Sequence, residues 1–252
     1  MSISPSAAGS CASVPAPGHG AADASAQATL IETRDATGQV VSRMPMLGGV
    51  PHGQVLMFGA GGVPALEAHY EHGVLSGRVR TFDATGAVLQ EAEYVAGQLH
   101  GTTTTWQDGR VASRQHYVHG VLHGAAVSYA PSGLATSWLT YEAGKLTREA
   151  QYLHEGCIVR RASYSKGVLE GETRDYASGG KLVQSSPYKD GLLHGTVRRY
   201  GADGRLNEER VYAHGKPLGE ARKVAGPAPQ DGAATGGQRL ARHLEKWVKG
   251  RP

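Results

Sequence analysis

Gly73-Val74-Leu75-Ser76-Gly77, Gly97-Gln98-Leu99-His100-Gly101 and Gly120-Val121-Leu122-His123-Gly124 are three copies of one pattern, G-x-L-x-G. It returns as Gly167-Val168-Leu169-Glu170-Gly171 and Gly191-Leu192-Leu193-His194-Gly195, with weaker copies starting at Gly49, Gly144 and Gly215. Successive leading glycines are always 23 or 24 residues apart, which marks a repeat protein. Three other positions keep the beat. An aromatic stands five residues after the second glycine (Phe58, Phe82, Trp106, Tyr129, Tyr176, Tyr200). A third glycine follows (Gly62, Gly86, Gly109, Gly133, Gly156, Gly180, Gly204), and eight residues beyond each comes a tyrosine: Tyr70, Tyr94, Tyr117, Tyr141, Tyr164, Tyr188, Tyr212. Gly38 followed by Met46 is the second half of one more, worn copy.

The unit reads as two strands and two turns. A short strand runs from the second glycine to the aromatic. Segments such as Asp83-Ala84-Thr85-Gly86 and Ala202-Asp203-Gly204 then supply the Asp and Gly of a tight turn. The second strand ends on the tyrosine. Its apolar residue two after the glycine (Val88, Val111, Ile158, Leu182, Leu206) lies six before the tyrosine, so strict alternation puts both on one face. G-x-L-x-G is expected to turn the chain back, its leucine tucked under the sheet edge. One hairpin cannot bury its apolar face alone, so copies stack side by side in a quasi-one-dimensional array. At about 4.8 Å per strand, each hairpin advances the array by ~9.6 Å and eight span on the order of 75 Å. The expected fold class is all-β: an open elongated array of about eight β-hairpin repeats with a short C-terminal amphipathic helix.

Composition agrees. Thirty-six glycines supply repeated turns, and tyrosine gives 11 of the aromatics against two phenylalanines, a poor basis for a thick core. The net charge of +4 is spread along the chain and forms no basic stripe for nucleic acid. Cys11 and Cys157 make no disulfide framework, and no apolar run reaches membrane-helix length. Residues 1–27 are an Ala/Ser/Pro/Gly leader expected to be disordered; 28–224 form the array; 225–238 are a linker. Ala8-Gly9-Ser10-Cys11 resembles a lipoprotein cleavage site without the charged and apolar regions that precede one. The expected location is therefore cytoplasmic, with a periplasmic or membrane-tethered form as the alternative if the true start lies upstream and Cys11 is lipidated. Residues 239–252 turn helical, with Leu240, Leu244, Trp247 and Val248 on one stripe and basic residues around it. That helix either caps the last repeat or engages an anionic membrane or a partner groove.

The pattern over Leu30 to Gly219 resembles the MORN-repeat variant family, whose unit is Y-x-x-G-x-L-x-G-x-x-x-x-[YF]-x-x-x-G followed by a second strand. Five units fit at nearly every marked position. The resemblance implies a non-enzymatic binding module: bacterial members are commonly antitoxin or immunity components, and other MORN proteins are membrane-associated scaffolds. The unit at Gly144 departs, with Arg148 in place of the second glycine and a first strand, Glu149–Tyr152, one residue short; a bulge or bend is expected there.

Chemistry is sparse. His52, His100, His123 and His194 share the slot before the second glycine, and copies ~9.6 Å apart cannot share one zinc, whose nitrogens lie about 2.0–2.1 Å away. His116, His119 and His123 straddle one turn and are read as exposed residues rather than ligands. Asp35, Asp83, Asp108 and Asp203 fall in turns, and no calcium loop, nucleophile elbow or Walker loop occurs. No catalytic, cofactor or metal residues are assigned. The expected partner is a protein, a toxin or secreted effector, with peripheral membrane contact as a second possibility. Trp138, three residues before Tyr141, turns to the opposite face and is a candidate anchor, and Arg78, Arg80, Arg198 and Arg199 are candidate contacts at exposed strand positions.

Overall fold

The computed structural model describes residues 27–224. It is one open antiparallel sheet of many strands with a single 3-10 turn, Ala60–Gly62, as its only helical element among the described residues. Each strand pairs with its neighbours in sequence. Ala28–Arg34 forms one end against Val40–Leu47; Leu206–Ala213 closes the other with the short Lys216–Pro217 and Arg222–Lys223. The predicted tail helix, with Leu240, Leu244, Trp247 and Val248, lies outside the described residues, as does the leader with Cys11.

The turns sit elsewhere than expected within G-x-L-x-G. Only its leading glycine turns. His72-Gly73, Ala96-Gly97 and His119-Gly120 have positive φ at both residues, as a type I′ hairpin requires, between paired flanks such as Glu71 and Val74. The leucine is not tucked under an edge; it lies in the strand, opposite the tyrosine of the preceding strand (Tyr70 with Leu75, Tyr94 with Leu99). Its carbonyl accepts the amide of the next copy's leading glycine, Gly97 N to Leu75 O at 2.8 Å and Gly120 N to Leu99 O at 2.8 Å. The second glycine forms a bulge. Ala68 pairs with Val79 and Tyr70 with Leu75, so Ser76-Gly77 are extra, and Gly77 takes φ 86°.

At the opposite ends of the strands, turn length explains the two spacings. Where the spacing is 24, turns such as Asp83–Gly86 close with Asp83 N bonded to Ala87 O at 2.9 Å. Asp83 Oδ1 accepts the amides of Thr85 (2.8 Å) and Ala87 (3.0 Å) and the Thr85 hydroxyl (2.6 Å); Asp35 does the same for its own turn. These bonds, the threonine hydroxyl's first, hold both carboxyls below their usual range. The 23-residue steps from Gly97 and Gly144 instead use two-residue turns, Asp108-Gly109 and Glu155-Gly156, with positive φ throughout.

A second bulge overturns the face assignment made from even spacing. Thr81 pairs with Gln90 but Phe82 with Val88, leaving Leu89 as the extra residue. Val88 therefore faces away from Tyr94 and sits beside Arg80, Glu91 and Trp106. The unit at Gly144 is not short either. Its strand is Lys145–His154; Arg148 occupies the glycine slot at φ 63°, and Leu153, buried, holds the aromatic's place opposite Ile158. The bulge at Leu153 is the one every unit has.

What core exists is a row of small side chains crossing the sheet. Val55, Ala68, Val79 and Ala92 stand opposite one another in turn, as do Ala150, Ala162, Thr173 and Ser186. Ala150 is fully buried. In a single layer only short side chains disappear beneath their neighbours, and half-buried tyrosines and leucines flank this row on the same face. The aromatics Phe58, Phe82, Trp106, Tyr129, Tyr176 and Tyr200 form a second apolar strip on the other face, at the other end of the strands, each paired with an aliphatic or Pro residue.

Candidate binding surface

Alternation splits the sheet into a tyrosine face and an arginine face, and among the described residues no second layer covers either. The arginine face carries the positions one and three after each second glycine together with their cross-strand partners. Arg80 lies between Glu67 and Glu91, bonding Glu91 Oε2 through Nε at 2.7 Å and approaching Glu67 at 3.8 Å; Arg78 lies 3.9 Å from Glu91. Shallow hollows of about 250 and 420 Å³ flank Arg80, one lined by Gln54, His69 and Arg78, the other by Val88, Trp106 and Gly109. Farther along, the charges no longer alternate. Arg161 stands directly opposite Arg174, a like-charge pairing that each offsets locally, Arg161 with Glu149 at 3.6 Å and Arg174 with Glu172 at 2.5 Å. Trp138, 45% exposed, sits on this face between Val127 and Gln151, as its odd spacing from Tyr141 requires.

The structure therefore brings Arg78, Arg80, Trp138 and Arg198 onto one face and puts Arg199 on the other, where it meets Gln184 and Glu208. Arg198 is opposite Ser185 on one side and Glu209 on the other; Glu209 is engaged by Arg222 at 3.3 Å.

The periodic histidines have a structural use that spacing within one unit does not reveal. His52 Nδ1 accepts the backbone N–H of His72 (3.2 Å), and His123 Nδ1 that of Ala143 (3.5 Å); Glu170 fills the same slot and accepts from Asp190 N–H (2.8 Å). In these three units the side chain before the second glycine thus caps the next unit's turn, whereas His100 and His194, in the same slot, leave Nδ1 buried without a hydrogen-bond partner among the described residues. Ring pairs recur at the histidine slots: His52–His72, His100–His119 and His194–His214, with centroids 4.8, 5.3 and 5.2 Å apart. His116, His119 and His123 do not converge: His116 packs against Gly124, His119 against His100, and His123 reaches Ala143.

On the tyrosine face, residues that break the repeat pattern gather beyond the small-residue row. Tyr152 stands where other units have Thr81, Thr105 or Ser128, and its hydroxyl lies 3.4 Å from that of Tyr164. Burial, then this contact, raises its pKa. Arg160 Nε bonds buried Asp175 at 2.5 Å; burial works against its charge, while Asp175 more than restores it. Sequence reading missed this cluster, although Tyr152, Arg160 and Asp175 are each departures from their slots.

The contact slots themselves do not repeat. Positions one and three after the second glycine read Gln54/Leu56, Arg78/Arg80, Thr102/Thr104, Ala125/Val127, Glu149/Gln151, Glu172/Arg174 and Thr196/Arg198. No two agree. No protein-family model matches the chain, and no curated protein matches its sequence.

Proposed function

We propose that the chain is a non-enzymatic protein-binding repeat module that acts through its arginine face. The observation that carries this reading is a periodic scaffold beneath an aperiodic, uncovered surface. Glycine, leucine, tyrosine and small-residue slots recur from unit to unit, while no two units carry the same pair of outward residues. A lipid surface or a regular polymer presents identical groups and asks for identical contacts. A folded protein asks for a different contact in each unit. Exposed Trp138, between Val127 and Gln151, is the kind of side chain that anchors such an interface.

The likeness to MORN-repeat variants narrows the proposal to an antitoxin- or immunity-like protein that blocks a bacterial toxin or secreted effector by surface contact. It supports an array of about eight hairpin units as the working element. The test is co-expression with proteins encoded beside its gene, followed by co-purification and growth assays. A stable complex that restores growth, and that Trp138→Ala with Arg198→Glu weakens at least tenfold, supports the reading. Binding only to anionic vesicles, unaffected by those changes, would replace it with a membrane-associated scaffold held by the tail helix or a lipid.

A further inference from the structure

The two ends of the sheet are finished differently. At the far end the small-residue row stops on a charged residue, Arg210 opposite Val197, and the last short strands are Lys216–Pro217 and Arg222–Lys223. Proline, lysine and arginine on an edge oppose further strand addition. At the near end the row stops on an apolar residue. Ile31 pairs with Met44 on the face of that row and remains 48% exposed. Its strand, Ala28–Arg34, is exposed at every residue, contains no proline or lysine, carries its charges Glu32 and Arg34 as an ion pair, and has a second apolar side chain, Leu30, at 62% exposure. Among the described residues an unfinished row and an unpaired edge coincide.

From this we infer that the strand Ala28–Arg34 is a self-association edge, pairing antiparallel with the same strand of a second copy about a two-fold axis at Ile31. A two-fold contact requires a surface compatible with itself, and this strand meets that by setting no like charges opposite and by placing Ile31 against its own copy. Centred on Ile31, Thr29 meets Thr33, Leu30 meets Glu32 and Ala28 meets Arg34, so no like charges stand opposite. Glu32 stays neutralised by Arg34 and by Arg43, whose Nε is 3.1 Å away. Ile31 meets Ile31, and the row continues from one sheet into the next. The free backbone groups of each edge gain partners. Joining the near edge to the far edge of another copy would instead set it against Lys216–Pro217 and Arg222–Lys223, which cover Leu206–Ala213, and their charges and proline disfavour open filaments and favour a closed dimer.

Sedimentation equilibrium of the full chain at tens of micromolar is expected to give twice the 26.4 kDa of one chain. Ile31→Lys, at an exposed position, should raise the dimer dissociation constant at least tenfold while leaving the far-ultraviolet spectrum unchanged, and should remove the concentration dependence of the melting temperature that association gives the parent. A second variant fixes the location: with Cys11 and Cys157 replaced by serine, Ile31→Cys should oxidise to a covalent dimer, since residues facing each other across an antiparallel pair lie within disulfide reach. Trp138→Ala serves as a control that leaves the mass alone. A monomeric chain, a dimer indifferent to Ile31→Lys, or a monomer whose 28–34 amides resist hydrogen exchange because another segment covers them, would each overturn the inference.

Discussion

Replacing the second glycine by alanine in different units should cost unequal amounts, in an order set by the geometry of each slot. At Gly77 (φ 86°) an added Cβ meets His69 Cβ at 3.6 Å, an ordinary contact, so the cost is conformational: about 1–2 kcal/mol for holding an L-residue in the left-handed region. At Gly195 the backbone is at φ 110°, farther from the left-handed well near ~57°. The added Cβ would also lie 3.0 Å from Pro187 Cγ, part of a ring that cannot swing aside. Overpacking adds about 1–3 kcal/mol, so Gly195→Ala should exceed Gly77→Ala by at least about 1 kcal/mol, or roughly 2–4 °C in melting temperature for a chain of this size. Urea melts followed by far-ultraviolet dichroism measure both. The reverse change has the opposite sign. Arg148 already sits in this slot at φ 63°, so Arg148→Gly relieves about 1–2 kcal/mol of backbone strain and gives back up to ~1 in unfolded-chain entropy. The net effect should lie between neutral and about 2 kcal/mol stabilising. Equal costs at Gly77 and Gly195, or a loss above 2 kcal/mol at Arg148, would refute the view that the slot is defined by backbone conformation.

Asp175→Ala leaves Arg160 half-buried without its partner and should destabilise by about 2 kcal/mol in thermal melts; the exposed Arg198→Ala should stay within about 0.5 kcal/mol of the parent in the same melts. The turn aspartates give the array an acid limb. Because folding lowers the Asp35 and Asp83 pKa values, their contribution is present above the unfolded value near ~3.9 and is lost as pH falls through the folded value. The D35N/D83N double variant should therefore show a shallower loss of stability below about pH 4 in pH-dependent urea melts. His52→Ala removes the acceptor of the His72 amide, so faster hydrogen exchange at that amide, with little change elsewhere, is the expected readout.

The beat of glycines and tyrosines made the sheet legible because each marked residue has a backbone reason: type I′ turns need positive φ, bulges need it again, and tyrosine fills the strand opposite. The orientation of the aliphatic strip was not legible. Even spacing places Val88 and Tyr94 together only if the strand is regular, and the extra residue Leu89 reverses that parity. The same blindness made the unit at Gly144 look short. Counting to the nearest aromatic stops at Tyr152, whereas counting from the left-handed slot at Arg148 arrives at Leu153, where Ile158 faces it. Trp138 was correctly turned from Tyr141 because no bulge intervenes between them. By the same rule Arg198 and Arg199, being consecutive, had to lie on opposite faces. The histidine caps were out of reach, since they join residues 20 apart through a pairing that only the assembled sheet creates.

A one-layer sheet must hold itself together without a second layer, and this one does so by staggering its apolar groups. The tyrosine–leucine pairs occupy one face at one end of the strands, and the Phe58–Pro64 to Tyr200–Leu206 pairs occupy the other face at the other end. The aromatics reach their face by odd spacing along the first strand, and the bulge at Leu89 and its counterparts bring Val88 and the other aliphatic residues to the same face, which without the parity change would join the tyrosines instead. The tyrosine face would then be more broadly apolar and exposed, an invitation to stack or aggregate. With the strips divided, each face keeps polar side chains across most of its width. The arginine face then offers a partner an apolar border beside a band of charges. Placing specificity in that band leaves the scaffold untouched, since Arg78, Trp138 and Arg198 hold none of the turn, bulge or row positions on which the strands depend. Substitution can therefore remodel what the surface recognises, unit by unit, at little cost to the fold.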